Sequence, residues 1–494
     1  DNVVKKFIEE ASQKGVDVFR IFDSLNWVEN MKMPIETALK TGKIVEGTIC
    51  YTGDITDPNE TKYTLDYYVK KAKELESLGV HIFTIKDMAG LVKPYAAKKL
   101  VSALKEELNI PVNLHTHDST GNGVSTLLMA SEAGLDIADC AIGSMSSMTS
   151  NPCMNSLVEA LKGTERDTGL NPDELTELSQ YYARIRPIYK QFESGMDAPN
   201  TEIYKYEIPG GQYSNLLAQV KEMGAADDFE EIKGLYRDAN HLLGNIVKVT
   251  PSSKVVGDFA IFMFKNGLTK ENILEVGKDL SYPDSVVEYF EGMIGQPEGG
   301  FPEELQKIVL KDKKPISVRP GSLLPDEDFD YIAKGLKENF YTENMEDPDI
   351  LSQKTLSYAL YPKVYEDYCR HFEAYNDVTG LESHVYFYGL RKGEETTLKL
   401  DEGKYLIIKF IDMTEPDEDG YRLLDFEVNG SIREIKVLDK NLEVKTDRRV
   451  KADKSNPAHL GSTIPGTVGK VLVNEGDEVT VNMPLMTVEA MKME

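Results

Sequence analysis

The architecture of the chain can be read from residues 81–118, HIFTIKDMAGLVKPYAAKKLVSALKEELNIPVNLHTHD, in which two short apolar runs flank an amphipathic stretch. The apolar runs predict strands over His81–Asp87 and Val112–Asp118, and the stretch between them predicts a helix over Pro94–Leu108. Strands that alternate with helices form a parallel sheet. Both strands end in polar residues, so we expect polar side chains to gather at one edge of that sheet.

The same alternation runs through about the first 160 residues. It predicts further strands over Val16–Asp23, Ile44–Thr52 and Ile137–Ser144, and further helices over Thr64–Leu78 and Val124–Ala133. Five such units favour an α/β fold, a (β/α)8 TIM barrel whose active site lies at the carboxyl ends of the strands. A flavodoxin-like open sheet binds ligands at the same edge and is the alternative. Because the first residues lead straight into a helix, we expect these units to be the last five of eight.

Four domains are expected along the chain. Residues 1–175 form the TIM barrel, and residues 176–369 form a helical extension divided by Pro- and Gly-rich elbows. Residues 370–455 form a small α+β domain, and residues 456–494 form the first half of an all-β domain.

The small α+β domain shows a mixed pattern. A helix is expected around Tyr365–Ala374, and Asn429-Gly430 is a strong hairpin signal. Residues Asp439–Asn456 are charged and lack apolar periodicity, which predicts a linker. Alternating residues predict strands over His384–Tyr388, Thr396–Leu400, Lys404–Ile411 and Arg422–Val428.

Composition excludes several classes of function. The 494 residues include 56 basic and 83 acidic side chains, a net charge of −27 that argues against a nucleic-acid or anionic-membrane partner. No apolar stretch is long enough to predict a membrane span. The four cysteines, without a CxxC pair, are typical of reduced thiols in a cytoplasmic protein.

A candidate metal site lies at the ends of two predicted strands. His115 and His117 are two residues apart on one strand, so both imidazoles face the same side. A hydrogen-bonded pair of core histidines is the alternative. Lys86 ends the neighbouring strand, and a buried lysine that captures CO2 becomes an anionic oxygen ligand. From the residues alone, an ion pair of Lys86 with Asp87 or Asp118 is the favoured alternative.

The last six residues, EAMKME, contain a lysine between two methionines, the pattern that biotin ligases modify. Biotin on Lys492 would make this end of the chain a carrier of activated CO2. The preceding Ile464–Gly469, Val471–Val473 and turn at Asn474–Asp477 resemble the first half of a biotin carboxyl carrier domain. A chance Met-Lys-Met on a loop is the alternative.

Several motifs resemble the carboxyltransferase domain of the biotin-dependent pyruvate carboxylase family, and the likeness runs across nearly the whole chain. They are Phe22–Asn26, Tyr51–Asp54, Phe83–Gly90, Leu114–Asp118, Met148–Pro152 and Glu207–Tyr213. By this resemblance the 370–455 segment is an allosteric or tetramerisation domain.

The resemblance implies roles for individual residues. Lys86, as a carbamate, and His115 and His117 would bind a divalent metal, Mn²⁺ or Zn²⁺. Thr149 would relay a proton between pyruvate and biotin, although Ser147 and Asn151 depart from the family's usual glycine and glutamine.

We expect three carboxylates to orient the metal-binding side chains without touching the metal, and the alternative is that they are solvated or cap backbone N–H groups. They are Asp23, Asp87 and Asp118.

The resemblance also implies a reaction and partners. Pyruvate would be carboxylated to oxaloacetate in an anaplerotic and gluconeogenic reaction. Charging of biotin needs ATP, Mg²⁺ and bicarbonate in a biotin carboxylase domain that this chain lacks, and the family's first-strand aspartate and arginines are also absent, so the fragment alone is expected to be inactive. A biotin protein ligase, a homotetramer and an acetyl-CoA or nucleotide effector are the implied partners.

Three rival functions remain open. An oxaloacetate decarboxylase alpha subunit or a transcarboxylase subunit would use the same barrel, but typically has a Pro/Ala-rich linker where residues 370–450 look folded. A metal-dependent lyase with the same histidine pair would need no biotin. A module for carrier attachment and assembly alone would not be an enzyme.

Overall fold

The computed structural model describes residues 1–193, 196–340, 342, 344–417, 419–439, 452, 459–461, 467–480 and 483–489. The chain divides into two compact units, Asp1–Phe329 and Asp330–Glu494. The boundary falls inside the expected helical extension, and the four domain limits stay predictions. Among the described residues, no helix is both long enough and apolar enough to cross a membrane.

The first unit contains a parallel sheet of five strands in sequential order. Sequential order is that of a barrel segment, whereas a flavodoxin-like sheet reverses direction after its first strand. All five predicted strands are present, although the fifth is only two residues long. The strands are β1 Val18–Ile21, β2 Ile44–Cys50, β3 Ile82–Asp87, β4 Val112–Thr116 and β5 Ile137–Ala138.

Helices precede the sheet and connect its strands. The helices that connect consecutive strands pack an apolar face against the sheet. Ile35 and Ala38, Ala72 and Leu75 are fully buried in the same cluster as Phe83 of β3. Burial of a large aliphatic side chain contributes about 1.5–3 kcal/mol, so this layer stabilises the sheet. The helices are α1 Asn2–Gln13, α2 Val28–Lys40, α3 Leu65–Ser77, α4 Pro94–Glu107, α5 Gly123–Glu132 and α6 Met154–Leu161.

The rest of the first unit is helical, as expected from its elbows. A second buried core, which includes Tyr236, Phe259 and Phe290, holds all of these helices except the first together. The helices are α7 Pro172–Ile185, α8 Ile203–Tyr206, α9 Gly210–Glu222, α10 Phe229–Leu242, α11 Ser252–Asn266, α12 Ile273–Val276, α13 Asp284–Glu291 and α14 Glu303–Leu310.

The second unit contains helices followed by antiparallel sheets. Its four-stranded sheet has the order β6-β7-β8-β9, and Asn429-Gly430 joins β8 to β9 as the predicted hairpin. The strands β10 and β11 pair with each other. The elements are α15 Phe329–Asn339, α16 Pro348–Leu360, α17 Pro362–Tyr375, α18 Ser383–Tyr388, β6 Glu395–Asp401, β7 Lys404–Met413, β8 Tyr421–Val428, β9 Ser431–Leu438, β10 Thr467–Val471 and β11 Met486–Glu489.

One predicted strand in this unit is wrong. Residues His384–Tyr388 lie in the short helix α18, which ends at Gly389 with a φ of +71°. The run of valine and aromatic residues is typical of a strand, but its backbone bonds are local, with the amide of Tyr386 donating to the carbonyl of Glu382. The predicted linker Asp439–Asn456 lies outside the described residues except at its first residue and at Ala452.

Close packing at the start of α5 should make Gly123 intolerant of a side chain. A Cβ at this position would lie 2.6 Å from Pro152 Cγ and 2.7 Å from Asp118 Oδ1, so Gly123→Ala should lower the free energy of unfolding by about 1–3 kcal/mol. Gly234 lies inside α10 with nothing within 4 Å of such a Cβ, so Gly234→Ala should raise it by about 0.5–1 kcal/mol. Urea unfolding followed by circular dichroism measures both, and equal effects would contradict the packing described.

Candidate metal site at the carboxyl ends of the strands

The carboxyl ends of β3 and β4 place Lys86, His115 and His117 next to one another. Lys86 pairs with His115 in the parallel register, across backbones about 4.8 Å apart. His117 follows two residues later, and the centroids of the two imidazole rings lie 5.3 Å apart. The fold thus brings together the three side chains that the sequence suggested as metal ligands.

Hydrogen bonds determine which nitrogen each imidazole presents. His115 Nδ1 lies 2.7 Å from Asp139 Oδ2, and His117 Nδ1 lies 2.6 Å from the carbonyl oxygen of Thr149. Both partners are acceptors, so in the neutral ring the proton is on Nδ1 and the lone pair is on Nε2. His115 Nε2 is buried without a hydrogen-bond partner among the described residues.

The two rings are therefore anchored in the manner of metal-binding histidines, which commonly donate their other N–H to a carboxylate or a backbone carbonyl. Burial lowers the pKa of His117 and favours the neutral ring that can bind a metal. Both histidines fit a divalent metal through Nε2.

Lys86 ends β3 in a half-buried position. Its Nζ lies 5.4 Å from the centroid of the Phe22 ring. Burial lowers the pKa of this ammonium, against the opposing effect of Cys50. A lowered pKa increases the fraction of neutral amine, the form that reacts with CO2. Lys86 therefore fits the third ligand position as a carbamate.

A closed ring of polar side chains lies beside His115, and the sequence analysis singled out none of its members. Arg20 on β1 donates two hydrogen bonds to Glu46 on β2, from Nε to Oε2 at 2.8 Å and from Nη2 to Oε1 at 3.1 Å. Arg20 Nη1 lies 2.5 Å from Asp139 Oδ2. Asn113 on β4 closes the ring by donating from Nδ2 to Glu46 Oε1 at 2.7 Å and to Asp139 Oδ1 at 3.2 Å.

The members of this ring stabilise one another's charges. Burial opposes ionisation of Glu46, but hydrogen bonds, first that from Arg20, lower its pKa below the ordinary value. Burial likewise opposes ionisation of Asp139, and the bonds from His115 and Arg20 lower its pKa well below the usual range. The sequence signal was a charged residue inside each of two apolar strands, VFRI and IVEGTIC.

Three carboxylates expected to orient the ligands are bonded to backbone instead. Each accepts N–H groups from the turn or helix that follows its own strand, and Asp87 also accepts from the Thr116 hydroxyl at 2.8 Å. Among the described residues, the carboxylate oxygens of these three aspartates make no hydrogen bond to Lys86, His115 or His117. Asp23 accepts from Leu25 and Trp27, Asp87 from Leu91 and Val92, and Asp118 from Gly123.

The loop after β5 carries Thr149 past the histidines. Ser147 and Met148 have positive φ angles of 73° and 54°, a backbone conformation that side chains other than glycine rarely adopt. Asn151 Nδ2 donates to the carbonyl of Thr116 at 2.8 Å and ties the loop to β4. The carbonyl of Thr149 holds His117, and its side chain packs toward Gly210, where a Cβ would lie 2.9 Å from Thr149 Cγ2.

Two loops of the helical region, one at Glu207 and one at Lys248, meet at the carboxyl end of β2. Lys248 is buried, and its Nζ lies 2.6 Å from Glu207 Oε2 and 3.2 Å from Thr52 Oγ1. A polar cavity of about 230 Å³ lies beside these three residues, with Lys62 and Asn245 also in its wall. The ion pair therefore joins both loops to the strand end.

Thr250 lies between Lys248 and Ser252 in the chain, and both of these neighbours contact strand ends at this edge of the sheet. Ser252 Oγ lies 3.3 Å from the carbonyl oxygen of Ser24, in the loop after β1. Thr250 is exposed between this contact and the Lys248 ion pair. Thr250 and Pro251 lie in one of the Pro- and Gly-rich elbows that were interpreted from the sequence only as boundaries between helices.

The proposed biotinylation site, Lys492, lies outside the described residues. In the part of the carrier segment that is described, β10 and β11 pair antiparallel, and the turn at Asn474–Asp477 is present, with Gly476 at a φ of +99°.

Three family models match the chain. The HMGL-like model matches residues 7–181, the conserved carboxylase domain matches residues 203–409, and the biotin-requiring enzyme model matches residues 457–494. The first match agrees with the sequential parallel sheet, and the predicted (β/α)8 fold is confirmed.

Curated relatives match the chain along its whole length. The chain is 50% identical to the pyruvate carboxylase of Bacillus subtilis and 47% identical to that of Staphylococcus aureus, and it covers 42% of each. It thus spans about two fifths of the length of these relatives.

A solved structure of the carboxyl transferase domain from Rhizobium etli pyruvate carboxylase, with pyruvate and biocytin, is also similar to the chain. The identity is 43% and the TM-score is 0.83, over 89% of this chain and 73% of that one.

Loss of the buried ion pair should destabilise the protein far more than loss of an exposed one. Glu207→Gln leaves the buried ammonium of Lys248 without a counter-charge, so the free energy of unfolding should fall by about 3 kcal/mol. Glu159→Gln removes the exposed pair with Lys162, 3.9 Å apart, and should change it by less than about 1 kcal/mol. Urea unfolding measures both, and a loss for Glu207→Gln no larger than for Glu159→Gln would show that the two loops do not depend on this pair.

Proposed function

The chain belongs to the pyruvate carboxylase family, and we propose that it contains the carboxyl-transfer site of a biotin-dependent enzyme that converts pyruvate to oxaloacetate. The observation that carries this proposal is the meeting of Lys86, His115 and His117 at the carboxyl ends of β3 and β4. Both histidines present Nε2, and Lys86 supplies an amine next to them.

In the proposed reaction pyruvate loses a methyl proton to the biotin ureido group and accepts the CO2 that arrives as carboxybiotin. A C–H bond of the methyl group and the N–C bond of carboxybiotin break, and a C–C bond of oxaloacetate and an N–H bond of biotin form, which balances the transfer. A divalent metal bound here supplies a Lewis acid for the negative charge that develops on the carbonyl oxygen of pyruvate. His115, His117 and the carbamate of Lys86 would hold the metal, and Asp139 and the carbonyl of Thr149 orient the two imidazoles.

Biotin on Lys492, attached by a biotin protein ligase, is the proposed carrier of CO2. A tethered carrier reaches its target at a millimolar effective concentration, which supports transfer at a site on the same assembly. ATP, Mg²⁺ and bicarbonate charge the biotin in the whole enzyme. By its likeness to the family, we also propose that the whole enzyme is a homotetramer in the cytoplasm. Acetyl-CoA or a nucleotide is the proposed effector.

The proton relay is proposed for a threonine hydroxyl at this edge. Thr149 was inferred from the sequence, and its carbonyl already holds His117. Thr250 is the second candidate, because it is exposed between two contacts to the ends of β1 and β2. A threonine-to-alanine variant of the Rhizobium etli enzyme has been crystallised.

Replacement of the proposed carbamate should abolish the reaction. Lys86→Gln removes the amine that carries the ligand oxygens, so oxaloacetate formation by the full-length protein should fall at least about 100-fold. Lys98→Gln, on the exposed face of α4, is the matched control and should leave the rate unchanged. A coupled assay with malate dehydrogenase measures both, and an unchanged rate for Lys86→Gln would refute the proposed site.

The two threonines can be separated by kinetics. A relay residue lost to alanine should lower kcat by about 100-fold or more, since general acid–base catalysis contributes factors of that size. Thr149 positions His117 through its backbone carbonyl, which alanine retains, so a Thr149 that is not the relay should keep both kcat and bound metal as alanine. If Thr149 is the relay, Thr149→Ser keeps the hydroxyl and should retain activity. Comparing Thr149→Ala with Thr250→Ala for kcat and bound metal assigns the relay; full kcat in both variants would exclude a threonine relay at this edge.

A further inference from the structure

Asp139 is held from three sides beside the proposed metal site. Its Oδ2 lies 2.7 Å from His115 Nδ1 and 2.5 Å from Arg20 Nη1, and its Oδ1 accepts from Asn113 Nδ2 at 3.2 Å. Arg20 Nη1 also lies 3.4 Å from His115 Nδ1, but two donors do not bond to each other. Asp139 Oδ2 is therefore the shared acceptor of the arginine and the imidazole.

The backbone alone holds Asp139 weakly. It follows β5, which is two residues long and pairs with β4 only through Ile137 and Ala138. Its amide donates to the carbonyl of Leu114 at 3.1 Å. A side chain at the end of so short a strand needs further contacts to keep one orientation.

Arg20 supplies those contacts from β1, the strand at the opposite edge of the five-stranded sheet. It extends from β1, and its Nε and Nη2 bind both oxygens of the buried Glu46 on β2. Glu46 is in turn bonded by the Thr84 hydroxyl and by Asn113. The two hydrogen bonds to Glu46 thus fix the plane of the guanidinium, and the remaining nitrogen, Nη1, donates to Asp139.

We propose that Arg20 is a positioning residue that holds the Asp139 carboxylate against His115 Nδ1, so that His115 presents its Nε2 lone pair to the metal. The inference rests on the metal site of the proposed function. Arg20 touches neither substrate nor metal in this account, and acts through Asp139.

Asp139→Asn changes the group that contacts His115, and Arg20→Lys changes the group that holds Asp139. The amide is nearly the same size as the carboxylate, but it is uncharged and has one acceptor oxygen instead of two, so it cannot accept from Asn113 while it accepts from Arg20 and His115. With its oxygen toward His115 it loses the negative charge that makes the imidazole a stronger ligand, and with Nδ2 toward His115 it removes the Nε2 lone pair that binds the metal. Arg20→Lys keeps the positive charge but loses the fork that fixes Asp139.

The test measures metal affinity in the full-length protein without pyruvate or biotin turnover. Protein stripped with EDTA is titrated with Zn²⁺ against a chromophoric chelator in bicarbonate buffer, and with Mn²⁺ by electron paramagnetic resonance. Asp139→Asn should raise the Zn²⁺ Kd by about 10- to 100-fold, and Arg20→Lys by about 10-fold. The double variant should match Asp139→Asn alone, because the arginine acts through the aspartate.

A matched control and a folding check accompany the titrations. Asp136 lies three residues before Asp139 and binds the amide of Val112 rather than a histidine, so Asp136→Asn should leave the Kd unchanged. Thermal unfolding of the metal-free variants shows whether each variant folds. If Arg20→Lys does not fold, the isosteric Asp139→Asn still tests whether the carboxylate that Arg20 holds orients His115.

An unchanged Kd for Arg20→Lys would overturn the inference while leaving the proposed function standing. So would a double variant whose fold-change in Kd equals the product of the fold-changes of the two single variants. A wild-type protein that binds neither metal would overturn both.

Discussion

The register between β3 and β4 is the constraint on which the candidate site depends. Lys86 stands opposite His115, and His117 shares a face with His115, so two adjacent strand ends supply every ligand proposed from this chain. A slip of one residue would turn these side chains to the helix-covered face. The register is fixed by apolar burial on that opposite face, where Phe83 packs with residues of α2 and α3. Packing on one face of the sheet thereby determines the chemistry available on the other.

The polar ring of Arg20, Glu46, Asn113 and Asp139 is the second layer of this arrangement. Isolated charges at half-buried positions would be costly, but each charged group here has a partner of opposite sign or an amide donor. The ring links β1, β2, β4 and the residue after β5, so it joins four parts of the sheet through side chains. The same closed network that satisfies these charges also orients His115.

Apolar periodicity was sufficient to predict the strands, the helices between them and the edge at which polar side chains gather, since both are consequences of alternation along the chain. It failed at His384–Tyr388, where a valine and aromatic run is typical of a strand but local backbone bonds form a helix. It also could not show that Arg20, Glu46 and Asp139, far apart in sequence, meet inside the sheet, because only the three-dimensional register brings them together. The same reason applies to Lys248 and Glu207, and to the backbone roles of Asp23, Asp87 and Asp118.

The most direct test of the central claim is an anomalous-diffraction map of the full-length protein crystallised with Mn²⁺ and bicarbonate. The account predicts one strong peak about 2.0–2.3 Å from the Nε2 atoms of His115 and His117, with carbamate density on Lys86 reaching the same peak. A metal bound through Nδ1, or an unmodified Lys86 directed away from a metal held by other residues, would contradict it.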